Sequence, residues 1–162
     1  MKLTYIIIAI IGLFGLVLYR LFSNRNKPKK KFTKSEQDEF YFSCVCNALI
    51  FFAATPDYLK SLSGPGFNIL FELETEFDYA FEDALLNQCI TSGKIDITLK
   101  PEVLTFKQKI KSIPLELWNL PALEQNQLWQ EIREHADILL TQMHVESRTL
   151  NHKFTRVIVA DN

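Results

Sequence analysis

The run LTYIIIAIIGLFGLVLYRLF, Leu3 to Phe22, holds a single charge in twenty residues and sets the first limit on what this chain can fold into. As a helix rising about 1.5 Å per residue it reaches roughly 30 Å, the thickness of a hydrocarbon core. Thirteen of its residues are Leu, Ile, Phe or Val. At about −0.3 to −0.6 kcal/mol each they favour insertion by roughly 4–8 kcal/mol. Arg20, the one charge, stands at the end, where its side chain can snorkel to the headgroups. Tyr5 and Tyr19 lie where interfacial aromatics are expected. A cleaved signal peptide is the competing reading. The run is long for a signal core, one lysine precedes it, and no small-x-small cleavage site follows. Gly12 and Gly15 lack GxxxG spacing, so the span carries no dimerising seam of that kind. The pattern predicts a single transmembrane anchor over residues 1–22.

Charge gives the orientation. Residues 1–34 carry eight bases and no acid, and seven of the eight lie between Arg20 and Lys34. The remaining residues hold all nineteen acids against ten bases, a net of −9 that the overall −1 conceals. Bases flanking a span are retained on the cytoplasmic side. The expectation is an N-terminus outside and a C-terminal domain on the cytoplasmic face of the plasma (inner) membrane. Residues 23–34 then form a basic juxtamembrane linker. Arg25, Lys27, Lys29, Lys30 and Lys31 would lie against anionic headgroups, at about 1 kcal/mol per base near the surface. Nucleic acid is disfavoured as a partner, because a domain of net −9 repels phosphate.

The three cysteines, Cys44, Cys46 and Cys89, sit in apolar surroundings and are odd in number. Both facts favour reduced, buried thiols over a disulfide frame. On a helix Cys44 and Cys46 do not share a face, so a joint metal site is not expected.

The region 35–162 reads as an acidic, mainly helical domain of about four to five helices. Thr33 and Glu36 are spaced for a capping box, with Ser35 as a rival cap, before a helix over about 35–54. Phe40–Ala54 is apolar almost all round and predicts a core helix; a membrane-seated segment is the alternative. Thr55 and Pro56 open a short helix that Gly64-Pro65-Gly66 would stop. A long helix is predicted over about 67–91, because Leu70, Leu73, Phe77, Phe81, Ala84 and Leu85 keep a stripe and no Gly or Pro intervenes before Gly93. Ile95, Ile97 and Leu99 alternate as a short strand, with Phe154–Val159 as partner in a two-stranded ribbon. Pro101 opens a helix with Val103, Phe106, Ile110 and Ile113 on its stripe. The segment from Leu115 to Ser147 is expected to contain the longest helix, with Leu128, Ile132, Ala136, Leu139 and Met143 facing inward.

Chemistry-bearing patterns are few. Glu131 and His135 lie one helical turn apart, the spacing a hydrolase-type acid–base or metal pair would need. The spacing is neither HExxH nor ExxH, so a solvated helix face is the plainer reading. No nucleophile elbow, phosphate cradle or EF-hand loop occurs, and no catalytic set, cofactor or metal is expected. The densest feature is acidic: Glu72, Glu74, Glu76, Asp78, Glu82 and Asp83 fall within twelve residues that contain no base. Glu72, Glu76, Tyr79 and Asp83 would share one helical face. Like charges one turn apart oppose helix formation by a few tenths of a kcal/mol per pair. A solvating role competes with a docking role for a basic protein, whose encounter an acidic surface accelerates. Trp118 and Trp129 are candidate aromatic anchors, with core packing as the plainer alternative.

These features together predict a membrane-anchored, non-enzymatic protein-binding domain on the cytoplasmic face. One concrete form is an immunity-type inhibitor that blocks a toxic protein there. A structural or scaffolding subunit of a membrane complex is one alternative, and a hydrolase using His135 and Glu131 is another.

Overall fold

The computed structural model describes residues 32–62, 68–151 and 153. The expected anchor Leu3–Phe22, the bases Arg25, Lys27, Lys29, Lys30 and Lys31, the stop Gly64-Pro65-Gly66 and the strand Phe154–Val159 lie outside the described residues. The helical unit begins at Thr33. Among the described residues it contains seven α-helices and no strand.

The first helix, α1 (Lys34–Ala53), starts on the predicted capping box. Thr33 Oγ1 accepts the Glu36 N–H at 3.2 Å, and Glu36 Oε2 accepts the Thr33 N–H at 2.9 Å. Two orphan donors are satisfied at once, and Ser35 takes no part as a cap. The helix ends where Pro56 forces Thr55 into an extended conformation. Thr55 Oγ1 then caps α2 (Pro56–Ser61) by accepting the Tyr58 N–H. At 20 residues α1 is the longest described helix, displacing the expected one near the C-terminus. Val45, Ala48, Leu49, Ile50, Phe51 and Phe52 are all buried. The apolar stretch Phe40–Ala54 therefore lies in the core, packed on α3 (Ile69–Ala80), α4 (Asp83–Thr91) and α7 (Gln127–Gln142). No described helix, α1 included, is long and apolar enough to cross a membrane.

The single helix expected over 67–91 is two. It breaks at Phe81 and Glu82 without a Gly or Pro; Glu82 is extended and forms the N-cap of α4. The break re-phases the apolar stripe. From Leu73 and Phe77 an unbroken helix would next bury Ala84 and Gln88, whereas the kinked chain buries Leu85, Leu86 and Cys89. Phe81 turns inward, its ring 5.1 Å from Phe77 and 5.4 Å from Phe106. Lys107, whose side chain is buried, donates to Asp83 at 2.6 Å and staples α5 to the new helix start. Helix α4 ends at Gly93, whose φ of +72° lets the Lys94 N–H reach the Cys89 carbonyl.

The strand expected at Ile95–Leu99 is replaced by a 3₁₀ turn, Ile97–Leu99. Asp96 accepts both the N–H and the hydroxyl of Thr98, at 2.8 and 2.7 Å. This local bond curls the chain where no described strand offers a ladder. Ile95 is buried and Ile97 exposed, so the alternation of the sequence is not the alternation of a pleat. The turn leads into α5 (Lys100–Lys111), whose Val103, Phe106 and Ile110 are buried as predicted, as is Ile113 beyond it. A second 3₁₀ turn, Leu115–Leu117, and α6 (Leu120–Gln125) precede α7. Helix α7 packs on α1, α5 and α6, with Ile132, Ala136, Leu139 and Met143 turned inward. His144, at φ +58°, closes α7 as Gly93 closes α4.

Phe52 lies at the centre of the unit. Its ring meets Phe77 at 6.1 Å and Phe106 at 5.7 Å edge-on, and stacks on Trp129 at 6.4 Å. Replacing Phe52 by Ala is expected to cost about 3–5 kcal/mol, while Phe71→Ala, on the outer face of α3, should stay within about 0.5 kcal/mol. Urea midpoints of the two variants provide the comparison, and equal losses would contradict the placement of either ring.

Candidate functional site

Helix α3 presents the acidic face. Asn68 fixes its start, Oδ1 accepting the N–H of Leu70 at 3.1 Å and of Phe71 at 3.3 Å. Ile69, Leu73, Phe77 and Ala80 bury the inner side. That phase leaves Phe71, Glu74, Thr75, Asp78 and Tyr79 exposed, with Glu72 and Glu76 half-buried along the flank toward α1. Of the four residues expected on one face, Glu72, Glu76 and Tyr79 stay together. Asp83 does not: it opens α4 and is held by Lys107, whose contact lowers its pKa. Glu74 and Asp78 take its place on the outer surface.

Several acids elsewhere in the unit are joined to cations across elements: Lys60 to Glu124, Lys94 to Glu39, Lys109 to Glu131 and Arg148 to Asp137. Among the described residues no ion pair reaches Glu72, Glu74, Glu76 or Asp78. Partial burial, and then the charge of Glu72, raise the pKa of Glu76. Asp78 sits near the C-terminal end of α3, where the helix dipole is negative and the last turn has no base. Neither placement is favoured by the fold.

The two tryptophans separate. Trp129 is 1 % exposed, stacks on Phe52 and donates its indole N–H to the Leu117 carbonyl at 2.9 Å. It is a core residue, which corrects its reading as a surface anchor. Trp118 stands edge-on to Trp129 at 5.2 Å and keeps part of its ring in solvent. With Leu115, Leu70, Phe71, Glu74 and Asn68 it lines a hollow of about 310 Å³. Leu115 is 85 % exposed and Phe71 60 %. Neither was singled out in the sequence; the signal available was that both stand off the apolar stripe of their segment.

Glu131 and His135 are not brought together as a working pair. Glu131 lies 3.2 Å from Lys109 Nζ and accepts from Gln127. His135 packs edge-on to Phe106 at 5.4 Å, with Nε2 2.8 Å from a Glu102 oxygen. That contact lacks the alignment of a hydrogen bond and leaves the buried nitrogen without one. Cys44, Cys46 and Cys89 are free thiols. Burial is the main cause that pushes the Cys44 pKa up to about 11 and those of Cys46 and Cys89 to about 12. Among the described residues no group of three His, Cys, Asp or Glu side chains is placed to hold a metal ion. A groove of about 350 Å³ runs between α1 and the segment after α7. There Asn47 clasps the Asn151 backbone, donating to its carbonyl at 3.0 Å and accepting its N–H at 2.8 Å. No protein-family model, curated protein or solved structure significantly matches this chain.

Two measurements follow from these environments. Because its folded pKa is raised, the carboxyl of Glu76 favours folding while protonated, and that contribution is lost as pH rises through the raised value. Glu76→Gln should therefore stabilise the chain at about pH 7 by a few tenths of a kcal/mol, and the gain should vanish at about pH 3. Denaturation midpoints at the two pH values decide it. The thiols provide the second: at about pH 8 a folded Cys44 holds about a hundredfold less thiolate than an unfolded one, and Cys46 and Cys89 hold less still. Iodoacetamide labelling of the folded chain, resolved by site, should be correspondingly slow.

Proposed function

We propose that this chain is a membrane-tethered protein-binding domain on the cytoplasmic face, and that the outer side of α3 docks a cationic protein. The observation that carries this reading is that four acids of one helix, Glu72, Glu74, Glu76 and Asp78, meet no cation among the described residues, while Glu39, Asp83, Glu124, Glu131 and Asp137 are each tied to one. Two of the four oppose local stability, Glu76 through burial and Asp78 through the helix dipole. Charges held against local stability are what a binding face requires and a merely solvated surface does not. An acidic patch raises the encounter rate with a cationic partner, most at low salt.

The tether and its orientation rest on the apolar run Leu3–Phe22 and the bases that follow it. Confined to the membrane face, such a domain meets proteins that arrive there. An immunity-type inhibitor of a toxic protein fits this best: it works by occlusion, needs no catalytic set, and sets carboxylates against a basic cleft.

The test is affinity capture from native membranes with the full-length chain, washed from about 50 mM to about 500 mM salt. A specific partner should be retained at low salt and lost at high salt. The variant carrying E72Q, E74Q, E76Q and D78N should lose it at every salt concentration. A partner equally held by both chains at both ionic strengths would overturn the role of α3. A reporter fused after Asn162 that is active only outside the cytoplasm would overturn the orientation.

A further inference from the structure

We propose that the hollow between the first turn of α3 and the Leu115–Trp118 turn receives an arginine side chain from the partner protein, with Glu74 as its counter-ion. The inference rests on the docking reading above and names the chemistry that would be read there.

The hollow is built from fixed elements. On one side Asn68 holds the first turn of α3, and its Oδ1 is already occupied by two backbone N–H groups. On the other, the Trp129 indole holds the Leu117 carbonyl. Asn119 donates to the Glu116 carbonyl at 2.6 Å and accepts the Ala122 N–H at 2.9 Å. The turn carrying Leu115 and Trp118 is thus tied to the core at one end and to α6 at the other, and the walls stand ready without a ligand.

The lining then selects the occupant. Leu70, Phe71, Leu115 and Trp118 supply the apolar wall, Glu74 supplies one charge, and among the described residues no base lines the space. Phe71 and Leu115 keep most of their surface in water, where a contiguous apolar patch is disfavoured unless something covers it. A neutral apolar anchor would cover it but would desolvate the Glu74 carboxylate with no partner. An anion would be repelled. A long apolar stem ending in a cation satisfies both parts. Arginine satisfies them better than lysine, because its flat guanidinium stacks on an aromatic face while donating two bonds to one carboxylate. The positive end of α3 does not oppose this, since Asn68 takes up its first N–H groups and Glu72 lies in its first turn.

The experiment uses the full-length chain in a non-ionic detergent, titrated with a blocked Gly-Arg-Gly peptide, its lysine twin and its citrulline twin. The readouts are the two indole N–H resonances and the backbone amides of α3. The arginine peptide should move the Trp118 indole saturably, leave that of Trp129 in place, and bind more tightly than the lysine peptide. Citrulline, with the same shape and no charge, should not bind. Glu74→Gln and Leu115→Ser should each weaken arginine binding on the order of tenfold. Both side chains are exposed, so neither variant threatens the fold. Equal binding of citrulline, or unchanged affinity in both variants, would overturn the assignment. Loss of binding in an E72Q, E76Q and D78N chain with Glu74→Gln unaffected would also overturn it, while leaving the acidic docking face standing. Saturable arginine binding at Trp118 without any salt-sensitive membrane partner would uphold the hollow and remove the partner.

Discussion

The Phe52 ring is the contact on which the helical unit depends. It belongs to α1 and touches one aromatic ring from each of α3, α5 and α7. A helix apolar on nearly all sides cannot rest on one neighbour; it must be covered around its circumference. Helices α3, α4 and α7 provide that cover, and the aromatic contacts at Phe52 fix their depth and rotation. Aromatic pairs of this kind contribute about 0.5–1.5 kcal/mol each beyond the area they bury. Both walls of the candidate surface trace back to this ring. Phe77 locks the inner side of α3 and so determines which residues face out. Trp129 stacks on Phe52 with one face and holds the Leu117 carbonyl through its indole nitrogen.

Where side chains act on their own helix, the sequence was legible. The Thr33–Glu36 box, the Thr55–Pro56 start and the stripes of α5 and α7 depend on spacing alone, and they stand as the residues predict. Where a distant partner decides, it was not. The break at Phe81–Glu82 has no local signal, because the gain comes from Phe106 and Lys107 on another helix. The alternation of Ile95, Ile97 and Leu99 yields to the hydrogen bonds that Thr98 donates to the Asp96 carboxylate, in a segment with no described strand beside it. Helix count rose from four or five to seven because the Phe81–Glu82 break divides one helix into two and because short α6 is cut out by local caps at Asn119 and Asn126 rather than by a change in hydrophobic period.

The candidate site was legible to the same degree. Glu72, Glu76 and Tyr79 share a flank because they share a helix. Asp83 left that flank when the helix broke, and Trp129 left the surface because its ring fills the space beside Phe52. Leu115 gave only a weak sign, since one exposed leucine after a proline looks like any loop residue. Its significance comes from Phe71 and Trp118 standing across from it, which only the folded chain brings together.

Charge and apolar surface on this face have separable consequences. Single exposed ion pairs contribute little, so the pairing of Lys60, Lys94, Lys109 and Arg148 is informative mainly as a distribution: among the described residues these cations join other elements and none pairs with an acid of α3. An unscreened row of carboxylates acts at a distance of about one Debye length, some 8–10 Å at ordinary salt, and so acts on how often a cationic protein arrives. It distinguishes poorly among cationic proteins. Discrimination has to come from a contact made after arrival, in a desolvated place of defined shape, and such contacts govern how long the complex lasts. In the hollow beside Trp118, aromatic and aliphatic walls adjoin the Glu74 carboxylate, with no cation among the described lining residues. In the proposed arrangement α3 would set the rate of encounter, and the Leu115–Trp118 turn would set which encounter persists.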